Sequence, residues 1–339
     1  MTVGTTAFPL DHHALYAIAP LDIHSYRTLR YDGEGMGVAL ADFSATDQQT
    51  LTELYSALLV LFAILREKRH DNALVLQLLS DFTHDYHWPD LIIRVRSLGS
   101  ANDDENTRMR QIVHDLKGGS FFALSAYLQF LELTTLSQHD VERMFYLARD
   151  QVKLMRGAIF GIDDEGYARD RQQNLHGTEL LVAKWSNSMH YTQRGAAQIR
   201  FDASYSGNIS ERCLEFAALD RVVYNLINNA IAHSADSNVY VVILPLGDHP
   251  HHLRFVIYNR VDEEQRIALN TRFPDGPSQL FYGGFTTGGN GLGMRICADF
   301  VCNAYGLATV EQGLQQRYFG VVLRDAYFIT WFHWPTVAD

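Results

Sequence analysis

Leu219-Asp220-Arg221-Val222-Val223-Tyr224-Asn225-Leu226-Ile227-Asn228-Asn229-Ala230-Ile231-Ala232-His233 decides how the chain is read. Val222, Val223, Leu226, Ile227, Ala230 and Ile231 recur three and four apart, as on a helix with one buried side. Asn225 and Asn229 are four apart and share a face. One asparagine in such a place is ordinarily a cap or a packing residue. Two, followed by Ala230 and by His233-Ser234, form a rarer pattern. Their side-chain oxygens are the hard ligands that Mg2+ accepts beside waters and substrate phosphates.

The stretch that follows has the grammar of a sheet. Residues 239–244 and 253–258 read as neighbouring strands rich in β-branched and aromatic residues, with Asp248-His249-Pro250 in the turn. Gly283-Gly284-Phe285-Thr286-Thr287-Gly288-Gly289-Asn290-Gly291-Leu292-Gly293 then runs into a helix over 294–305. A glycine-rich loop can be a plain surface loop. Where it opens a helix, its backbone amides also make a phosphate site. Residues 308–311, 317–323 and 326–334 read as further strands. Upstream, residues 178–191 read as a helix and 198–203 as a strand, after a polar, glycine-punctuated linker over 161–177.

Before that linker lies a helical hairpin. One helix is expected over 104–133, with Ile112, Leu116, Gly119, Ala123, Ala126 and Phe130 facing inward. A turn follows over 134–139 and a second helix over 140–160. A lone hairpin cannot bury this much apolar surface, so a second copy completing a four-helix bundle is expected, which makes the chain a homodimer. His114, in His114-Asp115-Leu116-Lys117, falls off the inward stripe. It is either an ordinary surface histidine or a nucleophile. A neutral imidazole has a free ring nitrogen, Asp115 can hold its tautomer, and Lys117 lies nearly one turn on, where it could steady phosphate charge.

Residues 1–45 read as loop. Leu51, Leu54, Leu58, Phe62 and Leu65 mark an amphipathic helix, and a second helix runs over 72–87 to Trp88-Pro89. His84 and His87 are helical neighbours, but no cysteine or acid partner for a closed metal site accompanies them. With 47% hydrophobic and 20% charged residues, the chain of 339 residues is that of folded domains. A net charge of −11 argues against nucleic acid as a direct partner. Three scattered cysteines form no disulfide framework and fit a reducing compartment. The longest apolar run, residues 57–65, falls short of the roughly 20 residues of a membrane span, and the N-terminus carries no signal-peptide pattern. A cytoplasmic protein with no membrane span is expected.

Taken together, His114-Asp115-Leu116-Lys117, Asn225-Leu226-Ile227-Asn228-Asn229-Ala230, and Phe281 to Phe285 with Gly289 to Gly293 resemble the boxes of sensor histidine kinases of two-component systems. The resemblance covers about residues 104–335. It implies an α+β chain: a helical input region (1–100), a dimerisation and phosphotransfer hairpin (101–165), and an α/β-sandwich ATP-binding domain of the histidine kinase and gyrase type (166–339). It implies that His114 takes the γ-phosphoryl group of ATP and hands it to an aspartate of a response-regulator receiver domain. Asn225 and Asn229 would hold Mg2+. The nucleotide contacts would fall on Asn225, Asn229, Asn259, Thr286, Thr287, Gly289, Gly291, Leu292 and Gly293. Two positions depart from the family. Its Asp-x-Gly adenine contact is here Asn259-Arg260-Val261, where a neutral amide oxygen replaces the carboxylate. Four residues after the histidine, where phosphatase-competent members carry Thr or Asn, stands Gly118, so regulator phosphatase activity should be weak or absent. Two alternatives remain: a degenerate, kinase-like scaffold that docks a receiver domain without ATP catalysis, and a serine kinase of the anti-sigma type, against which the hairpin speaks.

Overall fold

The structure, a computed structural model, describes residues 8–19, 31, 33, 35–99, 107–129, 131, 136–186, 188–192, 195–247, 250–284 and 292–337. The chain is α+β. It divides into two compact units, Asp32–Gln172 and Met1–Tyr31 with Gln173–Asp339. These boundaries differ from the three-part division drawn from the sequence, because helices on both sides of residue 100 share one core and the first residues join the sheet.

Helix α1 (His12–Tyr16) belongs to the sheet unit. The helical unit opens with strand β1 (Val38–Ala39), a 3-10 turn (Leu40–Asp42), α2 (Ala45–Lys68), α3 (Asn72–Asp85) and α4 (Trp88–Ser97). It continues with α5 (Thr107–Lys117), α6 (Gly119–Gln129), α7 (Gln138–Ala158), β2 (Ile159–Phe160) and α8 (Asp164–Arg171). Side-chain caps set the starts. Ser44 accepts from Asp47 N, Asp71 from Leu74 N, and Ser137 forms a capping box with Asp140. Pro89 does not merely end a helix. His87 takes a left-handed φ of 45°, and the proline sits in the first turn of α4, where its missing N–H has no partner to lose.

Leu51, Leu54, Leu58, Leu61 and Leu65 of α2 are buried in one core with Val141, Met144, Leu147, Ala148, Val152 and Met155 of α7. Within one chain, α2 thus covers the apolar face that the sequence reading reserved for a second copy. At 24 residues α2 is, among the described residues, the one helix long and apolar enough to cross a bilayer, yet its leucines form this core.

The single helix expected over 104–133 is two helices broken at Gly118, because two consecutive glycines are poor helix formers. The break changes the inward face. Phe121 and Leu124 are buried where Phe122 and Ala126 are only partly so, and Phe130 lies outside the described residues. The expected linker over 161–177 holds α8 and a strand. Asp163 caps α8 through Gly166 N at 2.8 Å, accepts from the Tyr55 hydroxyl, and Arg156 reaches Asp170 at 3.1 Å.

The sheet unit adds β3 (Gln173–Gly177), α9 (Glu179–Trp185), β4 (Met189–Thr192), β5 (Gly195–Ala203), β6 (Asn208–Arg212) and α10 (Cys213–Ala232). Then come β7 (Asn238–Pro245), β8 (His252–Arg260), α11 (Glu263–Arg272), a 3-10 turn (Pro277–Tyr282) and α12 (Gly293–Tyr305). The unit closes with α13 (Val310–Gln315), β9 (Phe319–Arg324) and β10 (Tyr327–Pro335). The strand expected over 308–311 is instead the start of α13. Thr309 caps it by accepting from Gln312 N at 3.1 Å, and the polar run around Glu311 and Gln312 lacks strand alternation.

Six strands pair in the order β4-β5-β7-β8-β10-β9, while β3 pairs separately with β6. All neighbours in the large sheet are antiparallel except β5 and β7. Strand alternation sends two apolar sets to opposite faces. Tyr240, Val242, Leu244, Val256, Tyr258, Ile329 and Trp331 form a core with Leu10, Leu15 and Ala19. Helices α10 and α12 pack on the sheet through β5, β7, β8 and β10. Arg254, with no exposure, donates from Nη1 to Leu15 O at 3.1 Å and Tyr16 O at 2.7 Å, from Nη2 to Ala19 O at 3.1 Å, and from Nε to His333 Nε2 at 3.1 Å.

Two expected outcomes test this fold. Leu58→Ala, at a fully buried site between α2 and α7, should lower stability by about 2–5 kcal/mol in urea unfolding. The second concerns pH. Burial pushes His252 down to about 4 and His333 well below the ordinary histidine range. The unfolded chain takes up these protons near pH 6.5, so between roughly pH 6.5 and 4 it binds more protons than the folded protein. Stability should therefore be full above pH 6.5 and fall as the pH drops through this window, by on the order of 3 kcal/mol for His252 alone. Urea midpoints at pH 7 and pH 5 check this, and His252→Gln should shrink the difference between them.

Candidate functional site

The residues singled out in the sequence lie in both units. In the helical unit, His114 occupies the last turn of α5. Ile112, Val113 and Leu116 around it are buried, which holds the helix down. The imidazole is 33% exposed. Its Nδ1 is covered, makes no hydrogen bond among the described residues, and lies 3.5 Å from Asp115 Oδ1. The covered nitrogen leaves Nε2 as the ring atom for chemistry. Lys117 does not point its ammonium towards open space. Nζ donates to Leu98 O at 2.5 Å, and burial lowers its pKa against the opposing pull of Asp47. A Cβ on Gly118 would stand 3.1 Å from His114 O, a tight fit.

In the sheet unit, α10 and α12 pack side by side. Asn229 sits where the first residue of α12 approaches α10: a Cβ on Gly293 would lie 3.6 Å from its Nδ2 and 3.8 Å from its Oδ1. The amino end of α12 therefore lies beside that amide, at a distance where a Cβ would make ordinary contact. Leu292 is the N-cap of α12, and its apolar side chain caps none of the first amides of the helix. Asn225, one turn before Asn229, is half-buried, and its covered Nδ2 has no partner among the described residues. Asn228 faces elsewhere and accepts from His190 Nε2 at 3.0 Å, which separates it from the pair.

Asn259 is 1% exposed in β8, between Val239 and Phe328. Its Nδ2 donates to His233 O at 3.2 Å and to Arg260 O at 3.1 Å. The side chain therefore ties the strand to the carboxyl end of α10, and Oδ1 is the acceptor it has left. Gly283 and Gly284 have φ of 81° and 80°, conformations that suit glycine, and Phe281 packs on Phe319 with ring centroids 4.7 Å apart. Thr286, Thr287, Gly289 and Gly291 lie outside the described residues.

An amide whose Nδ2 has no partner among the described residues, a second amide one turn on, and a helix start without an N-cap side-chain bond thus lie in one region of the sheet unit. Residues 216–324 match the family of histidine kinase-, DNA gyrase B-, and HSP90-like ATPases. The ATPase segment runs from α10 into β9 and holds Asn225, Asn229, Asn259 and Gly293. No curated protein sequence matches the chain. Among solved structures, the catalytic domain of histidine kinase ThkA is 16% identical, covering 47% of this chain and 85% of its own, with a TM-score of 0.27. Full-length ShkA in complex with AMPPNP is 15% identical over 78% of this chain and 47% of its own, with a TM-score of 0.31. The Acinetobacter baumannii histidine kinase AdeS is 12% identical over 66% and 98%, with a TM-score of 0.27. Scores of this size leave the ATPase match as the finding that identifies the segment.

The donor set fits a nucleotide with Mg2+. Asn229 Oδ1 is one hard oxygen, and Mg2+ draws its other ligands from phosphates and waters. The covered Nδ2 of Asn225 is a donor suited to a phosphate oxygen. As a metal ligand the residue would present Oδ1 instead, after a half-turn of the amide. Sequence reasoning missed the bonding of Asn259. Restoring the family's acid there should not help the fold: Asn259→Asp would set a carboxylate against two carbonyl oxygens. We expect a loss of about 1–3 kcal/mol in chemical denaturation.

Proposed function

We propose that the chain is an ATP-dependent histidine kinase that phosphorylates itself on His114 and passes the phosphoryl group to an aspartate of a response regulator. The observation that supports this is the closeness of Asn229 to the amino end of α12, with Asn225 one turn away and its Nδ2 without a partner among the described residues. Backbone amides at that helix end attract phosphate, and the helix dipole adds to the pull. Mg2+, held by Asn229 with Asn225 in support, would neutralise charge on the phosphates. Asn259 would accept from the adenine amine through Oδ1, with Thr286, Thr287, Gly289, Gly291, Leu292 and Gly293 lining the phosphates.

At the acceptor, the Asp115 carboxylate, 3.5 Å from Nδ1, would favour the proton on that nitrogen by its charge and leave the Nε2 lone pair to attack. The Nε2–P bond forms as the bond from the γ-phosphorus to its bridging oxygen breaks, and ADP leaves with that electron pair. Positioning and charge neutralisation supply the acceleration. ATP as donor places the reaction in the cytoplasm. Residues 1–100 would include the input helices and residues 101–165 the phosphotransfer hairpin. A homodimer would have to use a surface other than the apolar face that α2 already covers.

The second reading is a kinase-like scaffold that docks a receiver domain without ATP catalysis. Asn259 favours it, since its amide nitrogen is bound to two backbone carbonyls and no carboxylate is offered to adenine. One experiment separates the two. Incubation with Mg2+ and γ-labelled ATP should give an acid-labile, base-stable label that is lost in His114→Gln and reduced at least a hundredfold in Asn229→Ala. Absence of label, with no heat of ATP binding in calorimetry, would establish the scaffold.

A further inference from the structure

Helix α7 presents a regular apolar seam to the rest of the helical unit. Val141, Met144, Ala148 and Met155 follow one another at spacings of three and four or their sum, and all are fully buried. The seam position between Ala148 and Met155 is Gln151, also without exposure. A primary amide in such a place lowers stability unless its donors and acceptor are bonded. Both ends are. Gln151 Oε1 accepts from Ser120 Oγ at 2.7 Å, and its Nε2 donates to Leu116 O at 3.1 Å.

Those two partners flank the break between α5 and α6. In a continuous helix Leu116 O would receive the amide of Ser120. Here the ladder is interrupted: Gly118 N still reaches His114 O at 3.0 Å, but Phe121 N turns to Gly118 O at 3.1 Å, three residues back. Gln151 thus bridges the gap with one group, meeting a carbonyl on the α5 side and a hydroxyl on the α6 side. Two glycines permit the break, and the glutamine gives it a fixed geometry. The last turn of α5, which carries His114, is also pinned by Lys117 to Leu98 O.

We propose that Gln151 is a positioning residue for His114: through its bonds to Leu116 and Ser120 it fixes the end of α5 and so the direction in which the imidazole is presented. The inference rests on the kinase reading for its effect on phosphoryl transfer, but not for its effect on the ring. Gln151→Leu keeps the volume and removes both bonds, and Ser120→Ala removes one. In the full chain, Gln151→Leu should cut the rate of His114 labelling by Mg2+ and γ-labelled ATP at least tenfold with the KM for ATP unchanged. Ser120→Ala should have a smaller effect in the same direction. In both variants the imidazole NMR signals of His114, assigned by their loss in His114→Gln, should shift.

If the unsubstituted protein takes no label, the kinase reading fails while the NMR shift still tests the bracket. Should Gln151→Leu not fold, Ser120→Ala decides alone. A folded variant with unmoved His114 signals overturns the proposal, even where labelling falls, because the glutamine would then act on stability only. Shifted signals with an undiminished labelling rate would equally overturn it.

Discussion

A guanidinium with no exposure to water must be met on every side by acceptors, and Arg254 meets this demand with carbonyls from the opposite end of the chain. Leu15, Tyr16 and Ala19 accept from its Nη atoms and His333 from its Nε. Burial lowers the arginine to about 10, so it remains charged at neutral pH, and removing the carbonyls would leave a buried cation unpaired. The same residues cover Tyr240, Val242, Leu244, Val256 and Trp331. Residues 8–19 are thus a layer of the ATPase-bearing unit, and the helical unit is an insertion in sequence between two parts of it.

This arrangement places two kinds of chemistry on two kinds of scaffold. The sheet unit brings the Asn229 amide beside the start of α12, the arrangement on which the proposed nucleotide site rests. The helical unit offers an imidazole whose inner nitrogen is covered and whose outer edge is open. In each, apolar packing does the positioning. Val222, Val223, Leu226 and Ile227 fix the face on which Asn225 and Asn229 stand, and Ile112 and Leu116 fix that of His114.

Much of this was legible from residue spacing. Three- and four-residue repeats located α2, α7 and α10, the glycine-rich stretch marked the start of α12, and runs of β-branched and aromatic residues located β7 and β8. What escaped depended on partners distant in sequence. Gly118-Gly119 is visible as a weak point in a helix, but the bonds that span the break come from Gln151, more than thirty positions away. That α2 packs on the hairpin within one chain was also not legible, since its leucines meet α7 across a long stretch of sequence. The polar stretch over 161–177 resembled a linker because its order comes from Tyr55 and Arg156 rather than from a core of its own. Asn259 was readable as an acceptor, but not as a residue whose amide nitrogen binds the end of α10.

The pairing of the first residues with the last strands also sets an order of events during synthesis. Leu15 O and Arg254 are 239 residues apart in the chain. Leu10 and Leu15 leave the ribosome long before the sheet that covers them exists, whereas all of the helical unit emerges in between. Domains that appear first can fold first, so the helical unit can reach its packed state while the N-terminal segment still waits. Closing the sheet unit is then a late, long-range step, of the kind that slows folding, and until it happens the nascent chain carries an apolar segment at one end and an uncovered sheet at the other.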